Sequence, residues 1–133
     1  MIVVDSLLLS GFLFPKDQNH RIATAVRDKD PDWHCPELAL SEVRSVGLKQ
    51  RRAGNAMDAV IAAANLAPQT VTLHRLEDSA PVLSAAMEGK LWAYDAEYVA
   101  LARRLSCQLV SSDAEILKGF PALAVHPVDF AKG

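Results

Sequence analysis

The chain opens with Ile2, Val3 and Val4, a run without a polar residue, and Asp5 closes it. A strand with one face in water alternates apolar and polar side chains. A wholly apolar run suits a parallel strand covered by helices on both faces. This constrains everything that follows, because parallel neighbours need crossover connections, usually helical. The rest of the chain supplies them. Residues 6–14 predict a helix or turn ending at Pro15. Residues 17–30 predict an amphipathic helix with Ile22, Ala25 and Val26 on one stripe. A brief strand follows at 32–36. Pro36 suits the first turn of a helix over 37–52, and Gly54 and Asn55 break it. Residues 56–67 are rich in alanine and predict a strong helix.

Beyond Pro68, the β-branched Thr70, Val71 and Thr72 favour a strand over 69–76. Acidic and serine residues open a capped helix over 77–89, with Gly89 near its end. Tyr98, Leu101, Ala102 and Leu105 fall at i, i+3, i+4 and i+7, the spacing of a helix over 95–105. A strand at 107–112, a short helix at 113–119 and a last strand at 122–128 complete the alternation. The pattern predicts an α/β fold, a three-layer α/β/α sandwich with a mostly parallel central sheet. At 133 residues, half of them hydrophobic, the chain suits one domain spanning 1–133 with a proper core.

Other classes are excluded by composition. A net charge of −2 does not describe a basic nucleic-acid coat, although a local basic patch can still bind RNA. Cys35 and Cys107 lie far apart in apolar surroundings and suit reduced thiols of a cytoplasmic protein. The two cysteines and four histidines show no zinc spacing. No signal peptide and no membrane span is visible. His20, His34, His74 and His126 have no convincing Ser or Cys partner motif, and no phosphate-binding glycine loop occurs. Trp33 and Trp92 could stack on bases, but sparse aromatics are more often core, and Trp92 beside Leu91 and Tyr94 is expected there.

In open α/β sheets, ligands bind at the carboxyl ends of strands. Asp5 and Asp113 stand there; Asp95 opens a helix after "KLWAY", and Glu42 lies mid-helix on the stripe of Leu38 and Val46. Each has an ordinary explanation. Aspartate is among the best N-caps, and an acid in the first turn complements the helix dipole. Glu97 and Glu115 fit that explanation well. Glu42 fits less well, because a carboxylate among apolar neighbours needs a partner.

Together the four acids resemble the PIN-domain ribonucleases, closest to the single-domain toxins of VapBC-type toxin–antitoxin pairs. "MIVVDSLLL" resembles the opening strand with its first acid, Asp5. "CPELALSEVRS" is similar to the second motif, with Glu42. "LWAYDAEYVALARRL", the most specific stretch, resembles the third, with Asp95. "CQLVSSDAEIL" resembles the fourth, with Ser111 two places before Asp113. One position departs: the family usually has Ser, Thr or Asn two residues after the first aspartate, and here stands Leu7, with Ser6 and Ser10 nearby. The change removes no expected metal ligand.

The resemblance implies hydrolysis of RNA phosphodiesters with Mg²⁺ or Mn²⁺, leaving a 5′-phosphate and a 3′-hydroxyl. Asp5, Asp95 and Asp113 would bind the metal directly or through water. Glu42 would bind a second metal or orient a water. Ser111 and Ser6 would support the site, and Glu115 is a weaker further candidate. Such chemistry is physically apt. Crowded carboxylates raise one another's pKa, and a hard divalent cation reverses this. Arg44, Lys49, Arg51, Arg52, Arg103 and Arg104 are candidates to contact RNA beside the acidic pocket, although cations near helix C-termini also complement the dipole. The implied partners are RNA, a small antitoxin that blocks the pocket, and a second copy of the chain, with the Ala-rich helix able to allow close approach. The alternative is a non-catalytic PIN-like module that binds RNA or protein, toward which Leu7 is the one hint. A phosphoryl-accepting receiver domain is disfavoured: "VVDS" lacks paired acids and "AVHPV" lacks its lysine.

Overall fold

A computed structural model describes all of residues 1–133. Five parallel strands form one sheet in the order β3-β2-β1-β4-β5. They are β1 (Ile2–Val4), β2 (Trp33–Pro36), β3 (Thr72–His74), β4 (Leu109–Val110) and β5 (Ala124–Val125). The opening strand is the centre of the sheet. Val3 pairs with His34 on one side and with Leu109 on the other. Ile2, Val3 and Val4 are all buried, as an apolar run between two strands and under helices must be.

Nine helices connect and flank the strands: α1 (Ser6–Leu13), α2 (His20–Lys29), α3 (Ala39–Arg52), α4 (Met57–Asn65), α5 (Ala67–Thr70), α6 (Ser79–Gly89), α7 (Ala93–Leu105), α8 (Ala114–Gly119) and α9 (Pro127–Lys132). Helix α7 lies across β1, β2 and β4. Its stripe of Tyr98, Leu101 and Ala102 is buried, as the periodicity predicts. Helix α1 packs on α2 and α3, α2 on α9, and α6 on α7 and α8. The result is the expected three-layer sandwich. Its core is mainly aliphatic, with Leu9, Leu101, Leu109 and Ile116 among its largest fully buried side chains. Each such burial contributes about 1.5–3 kcal/mol relative to exposure. No helix is long and apolar enough to cross a membrane.

Local rules placed several boundaries wrongly. Pro36 does not open a helix; it ends β2, paired with His74, and α3 begins at Ala39. A strand end tolerates proline, and the next N–H, that of Glu37, donates to the His74 carbonyl. Pro68 does not precede a long strand. It sits in the first turn of α5, and β3 keeps only Thr72–His74. The last strand is two residues long, because Pro127 opens α9 and the His126 imidazole caps it through the Val128 N–H. Cys35 is buried and Cys107 half-buried, and both are free thiols.

Candidate active site

The order of the strands decides where a site can form. The chain builds β1, β2 and β3 outward in one direction, then returns to place β4 on the other side of β1. Strand order therefore reverses between β1 and β4, and a crevice opens beyond their carboxyl ends. Asp5 follows β1 and Ser111 follows β4.

Asp5 is buried, and each of its carboxylate oxygens accepts a hydrogen bond. One carboxylate oxygen accepts the Leu8 N–H at 2.8 Å and caps α1. The other accepts the Ser111 hydroxyl at 2.6 Å, across 106 positions of sequence. The Ser111 oxygen in turn accepts the Asp113 N–H at 3.1 Å. Asp113 caps α8 through the Ile116 N–H at 2.9 Å. Capping and site-building are thus one set of hydrogen bonds. Each cap leaves carboxylate lone pairs free, so the same acid can serve both ends.

Glu42 stands in the first turn of α3, half-buried. The Tyr98 hydroxyl donates to it at 2.6 Å, and that hydroxyl belongs to a buried ring. Asp95 does not cap α7, contrary to expectation. Trp92 occupies the N-cap position, and Asp95 lies within the first turn. This puts Asp95 and Tyr98 one turn apart on the same side of the helix.

Asp5, Glu42, Asp95 and Asp113 all line one cleft of about 300 Å³, together with Ser6, Leu7, Ser45, Lys49 and Tyr98. The acids sense one another. Burial pushes Asp5 above the ordinary carboxylate range, against the hydrogen bonds from Ser111 and Leu8, and the Asp113 charge adds to the rise. Burial also raises Glu42, with the charges of Asp95 and Asp5 adding, while the Tyr98 and Ser6 hydroxyls favour its ionised form. Asp95 is raised by burial, then by Asp113 and Asp5. A cleft that disfavours its own negative charges is suited to a cation.

As they stand, no three carboxylate, imidazole or thiol side chains converge closely enough to ligate one ion. The donors are nevertheless all hard oxygens. They fit Mg²⁺ or Mn²⁺, which keep several waters and need only one or two direct carboxylates. Leu7 lines the cleft half-exposed, where the resembling family carries a polar residue. Ser6 sits beside it in the lining and faces Glu42. Ser10 does not substitute, being buried with its hydroxyl unpartnered.

The basic candidates divide. Lys49 lines the cleft. Arg44, Arg51 and Arg52 are exposed on α3 outside its lining. Arg103 and Arg104 are engaged elsewhere. Arg103 pairs with Glu88 at 2.8 Å and lies over the Phe120 ring, and Arg104 donates to the Arg75 carbonyl at 3.3 Å. They sit roughly 12 Å along α7 from Asp95. Glu115 is exposed in the first turn of α8 and outside the cleft. No histidine lines the cleft: His34 bonds to Asp32 and His74, each at 2.8 Å, and His20 to the Gly11 carbonyl. Trp33 is buried, but Trp92 is 75% exposed and does not belong to the core. Tyr98 is the site residue that sequence reasoning missed. Its position three residues after Asp95 was the available signal, hidden because Tyr98 also fits the apolar stripe.

Solved structures share this architecture. The PAE2754 protein of Pyrobaculum aerophilum superposes with a TM-score of 0.73 at 19% identity, over 99% of this chain and 90% of its own. VapC20 of Mycobacterium tuberculosis, described as a toxin that cleaves the sarcin–ricin loop, superposes with a TM-score of 0.65 at 21% identity, over 90% of this chain and 95% of its own. At such identities the likeness is one of fold. No curated protein sequence matches significantly. The sequence profile of the PIN domain matches residues 2–120, from the first strand through α8 to Phe120, and so takes in all four acids of the cleft. With the parallel sheet, the acidic crevice and this match together, the chain belongs to the PIN domain family.

Proposed function

We propose that residues 1–133 form a single PIN domain that cleaves RNA phosphodiesters in a metal-dependent reaction, as the cytoplasmic toxin of a toxin–antitoxin pair. The observation that carries this is the gathering of Asp5, Glu42, Asp95 and Asp113 in one cleft at the reversal of strand order. Asp5, Asp95 and Asp113 would hold Mg²⁺ or Mn²⁺, directly or through water, and Glu42 would hold a second ion or orient a water. When bound, the metal neutralises charge on the phosphate and acidifies water.

The chain's own residues do the rest. Glu42 orients the attacking water and accepts its proton, a role suited to a carboxylate raised toward the working pH. The water oxygen bonds to phosphorus as the bond from phosphorus to the 3′ oxygen breaks; that oxygen takes a proton from solvent, leaving a 3′-hydroxyl and a 5′-phosphate. Ser111 holds Asp5 and the Asp113 backbone in register, and Ser6 flanks Glu42. Lys49 offsets the repulsion between RNA and the acids. A small antitoxin that covers the cleft would silence the enzyme. The fold shared with VapC20, itself described as a toxin, supports this role. Met57 and Ile61, half-exposed on α4, support a homodimer through that helix.

The test is RNA cleavage by the purified protein in Mg²⁺ or Mn²⁺, beside the Asp113→Asn variant. Cleavage by the wild type alone, abolished by EDTA, is expected. Cleavage that persists in EDTA or in Asp113→Asn would overturn the mechanism. Leu7 in the cleft favours a second possibility, a module that binds RNA without cutting. RNA binding with no cleavage under any divalent ion would select it.

Tyr98→Phe should keep the packing of α7 but remove the hydroxyl from Glu42. Hydrogen bonds to charged groups contribute about 1.5–3 kcal/mol. The expected result is a turnover roughly ten- to a hundredfold lower, with the acid limb of the pH–rate profile moved to higher pH. An unchanged profile would leave Tyr98 a packing residue only.

A further inference from the structure

We propose that Arg104, His74, His34 and Asp32 form one hydrogen-bonded latch, which fastens the last turn of α7 to the β2–β3 side of the sheet and opens in acid. None of the four lines the acidic cleft, and the latch is independent of the nuclease reading.

Strand register brings the two histidines together. His34 lies opposite Thr72, and Pro36 opposite His74. The histidines therefore stand two positions apart on the same face of the sheet. Their rings are 5.1 Å apart, and His34 Nδ1 is 2.8 Å from His74 Nε2. At one end, His34 Nε2 is 2.8 Å from an Asp32 carboxylate oxygen. At the other, Arg104 Nη2 is 3.4 Å from His74 Nδ1. A guanidinium only donates hydrogen bonds, and an ionised carboxylate only accepts them. The two ends therefore fix every proton between them. Arg104 donates to His74 Nδ1, so His74 carries its proton on Nε2 and donates to His34 Nδ1. His34 carries its own proton on Nε2 and donates to Asp32. Both rings are neutral, and no donor faces another donor.

One added proton breaks this order. Asp32 keeps the proton on His34 Nε2. Two protons between the rings would meet head to head across 2.8 Å. The extra proton therefore goes to His74 Nδ1, where it faces the Arg104 guanidinium. The bond to Arg104, the longest of the three, is the one lost. Burial lowers the His74 pKa below the ordinary imidazole value, and the charges of His34 and Arg104 lower it further. The folded chain thus takes this proton less readily than the unfolded chain. The stability it represents is complete above the unfolded value near 6.5 and is lost as pH falls through the folded pKa.

Other charges around the pair already have partners or face water. The N-terminal amine lies 2.8 Å from Asp30 and 3.9 Å from Asp32. Beyond β3, Arg75 pairs with Glu77 at 3.6 Å, and on α7 Arg103 pairs with Glu88 at 2.8 Å. Glu37, after β2, is exposed, and α5, packed on β3, carries no charged residue. Once released from His74, Arg104 keeps only its bond to the Arg75 carbonyl at 3.3 Å. Helix α7 also carries Asp95 and Tyr98, so a loosened last turn weakens the seating of a helix that supplies two residues of the cleft.

The experiment uses the intact protein and its Arg104→Met variant, whose substituted side chain is exposed and leaves the core untouched. Nitrogen NMR of the imidazoles at pH 7.5 should find the proton on Nε2 and none on Nδ1 in both His34 and His74. Amide hydrogen exchange, corrected for its intrinsic pH dependence, reads the last turn of α7. Between pH 7.5 and 5.5 the wild type should lose about two- to tenfold of the protection there, the worth of one hydrogen bond. Arg104→Met should have the lower protection at both pH values. Both proteins keep the four acids of the cleft, so the titration of those acids cancels in the comparison. A proton on Nδ1 of either ring at pH 7.5 would overturn the latch. So would wild-type protection that ignores pH, or an Arg104→Met protein that loses as much as the wild type.

Discussion

Asp5→Asn should lose RNA cleavage by on the order of 10³-fold, and yet melt higher than the wild type when no metal is present. The loss follows from the position of Asp5 at the centre of the site, bonded to Ser111 and charged against Asp113. The gain follows from linkage. Burial raises the folded-state pKa of Asp5 above its unfolded value. The folded chain then binds this proton more tightly than the unfolded chain. Its stabilising contribution is complete below the unfolded value near 3.9 and disappears as pH rises through the folded pKa. Above that range the buried carboxylate is a burden on the fold. Asparagine removes the charge while its carbonyl still accepts the Leu8 N–H. The expected increase is roughly 4 °C, equivalent to about 1 kcal/mol in a chain of this size. It should shrink as pH falls through the folded pKa and be gone near pH 4. Melting in EDTA across pH 4–8 measures it, and an Asp5→Asn protein that melts lower than wild type at pH 7 would show the carboxylate to be a net stabiliser.

Mg²⁺ or Mn²⁺ should stabilise the wild type at pH 7 far more than at pH 5. An ion that binds only the folded state at a hundred times its dissociation constant contributes about 2.7 kcal/mol, or roughly 10 °C here. Asp5, Glu42 and Asp95 all have raised pKa values, so protons compete with the ion as pH falls. Neither Asp5→Asn nor Asp113→Asn should show the full increase. A thermal scan with millimolar ion at both pH values decides it. If the increase is the same in both variants, the ion binds elsewhere, and the four acids hold the fold without holding a metal.

The contrast between the acids and the basic residues shows what kind of information each needs. Asp5 and Asp113 were legible because each follows a strand and caps a helix, and Asp95 because it falls in the first turn of one; such positions announce themselves by a change of pattern. Glu42 was legible as a charge on an apolar stripe. Arg103 and Arg104 look in sequence like a basic patch, but Glu88 on α6, Phe120 at the end of α8 and Arg75 just after β3 engage them. A cation is free or occupied according to partners that its own segment does not contain. Pro36 and Pro68 failed for a related reason. Proline suits both a first helical turn and a strand end, and the pairing of Pro36 with His74 chose between them.

What the sequence by itself determined is local and periodic. The apolar run Ile2–Val4 required burial on both faces, the Asp residues required helices after them, and the stripe of α7 required a covered face. Those demands already imply a parallel sheet between helices with acids at its carboxyl edge. Only the tertiary structure decided that β4 returns beside β1, so that Ser111 meets Asp5 and the crevice opens there. The backbone ladder is nearly the same for any pair of strands, so the choice of neighbour comes from packing summed over the whole chain. The same is true of Trp92. Beside Leu91 and Tyr94 it looks like core, and it is exposed because no other element of the fold covers it.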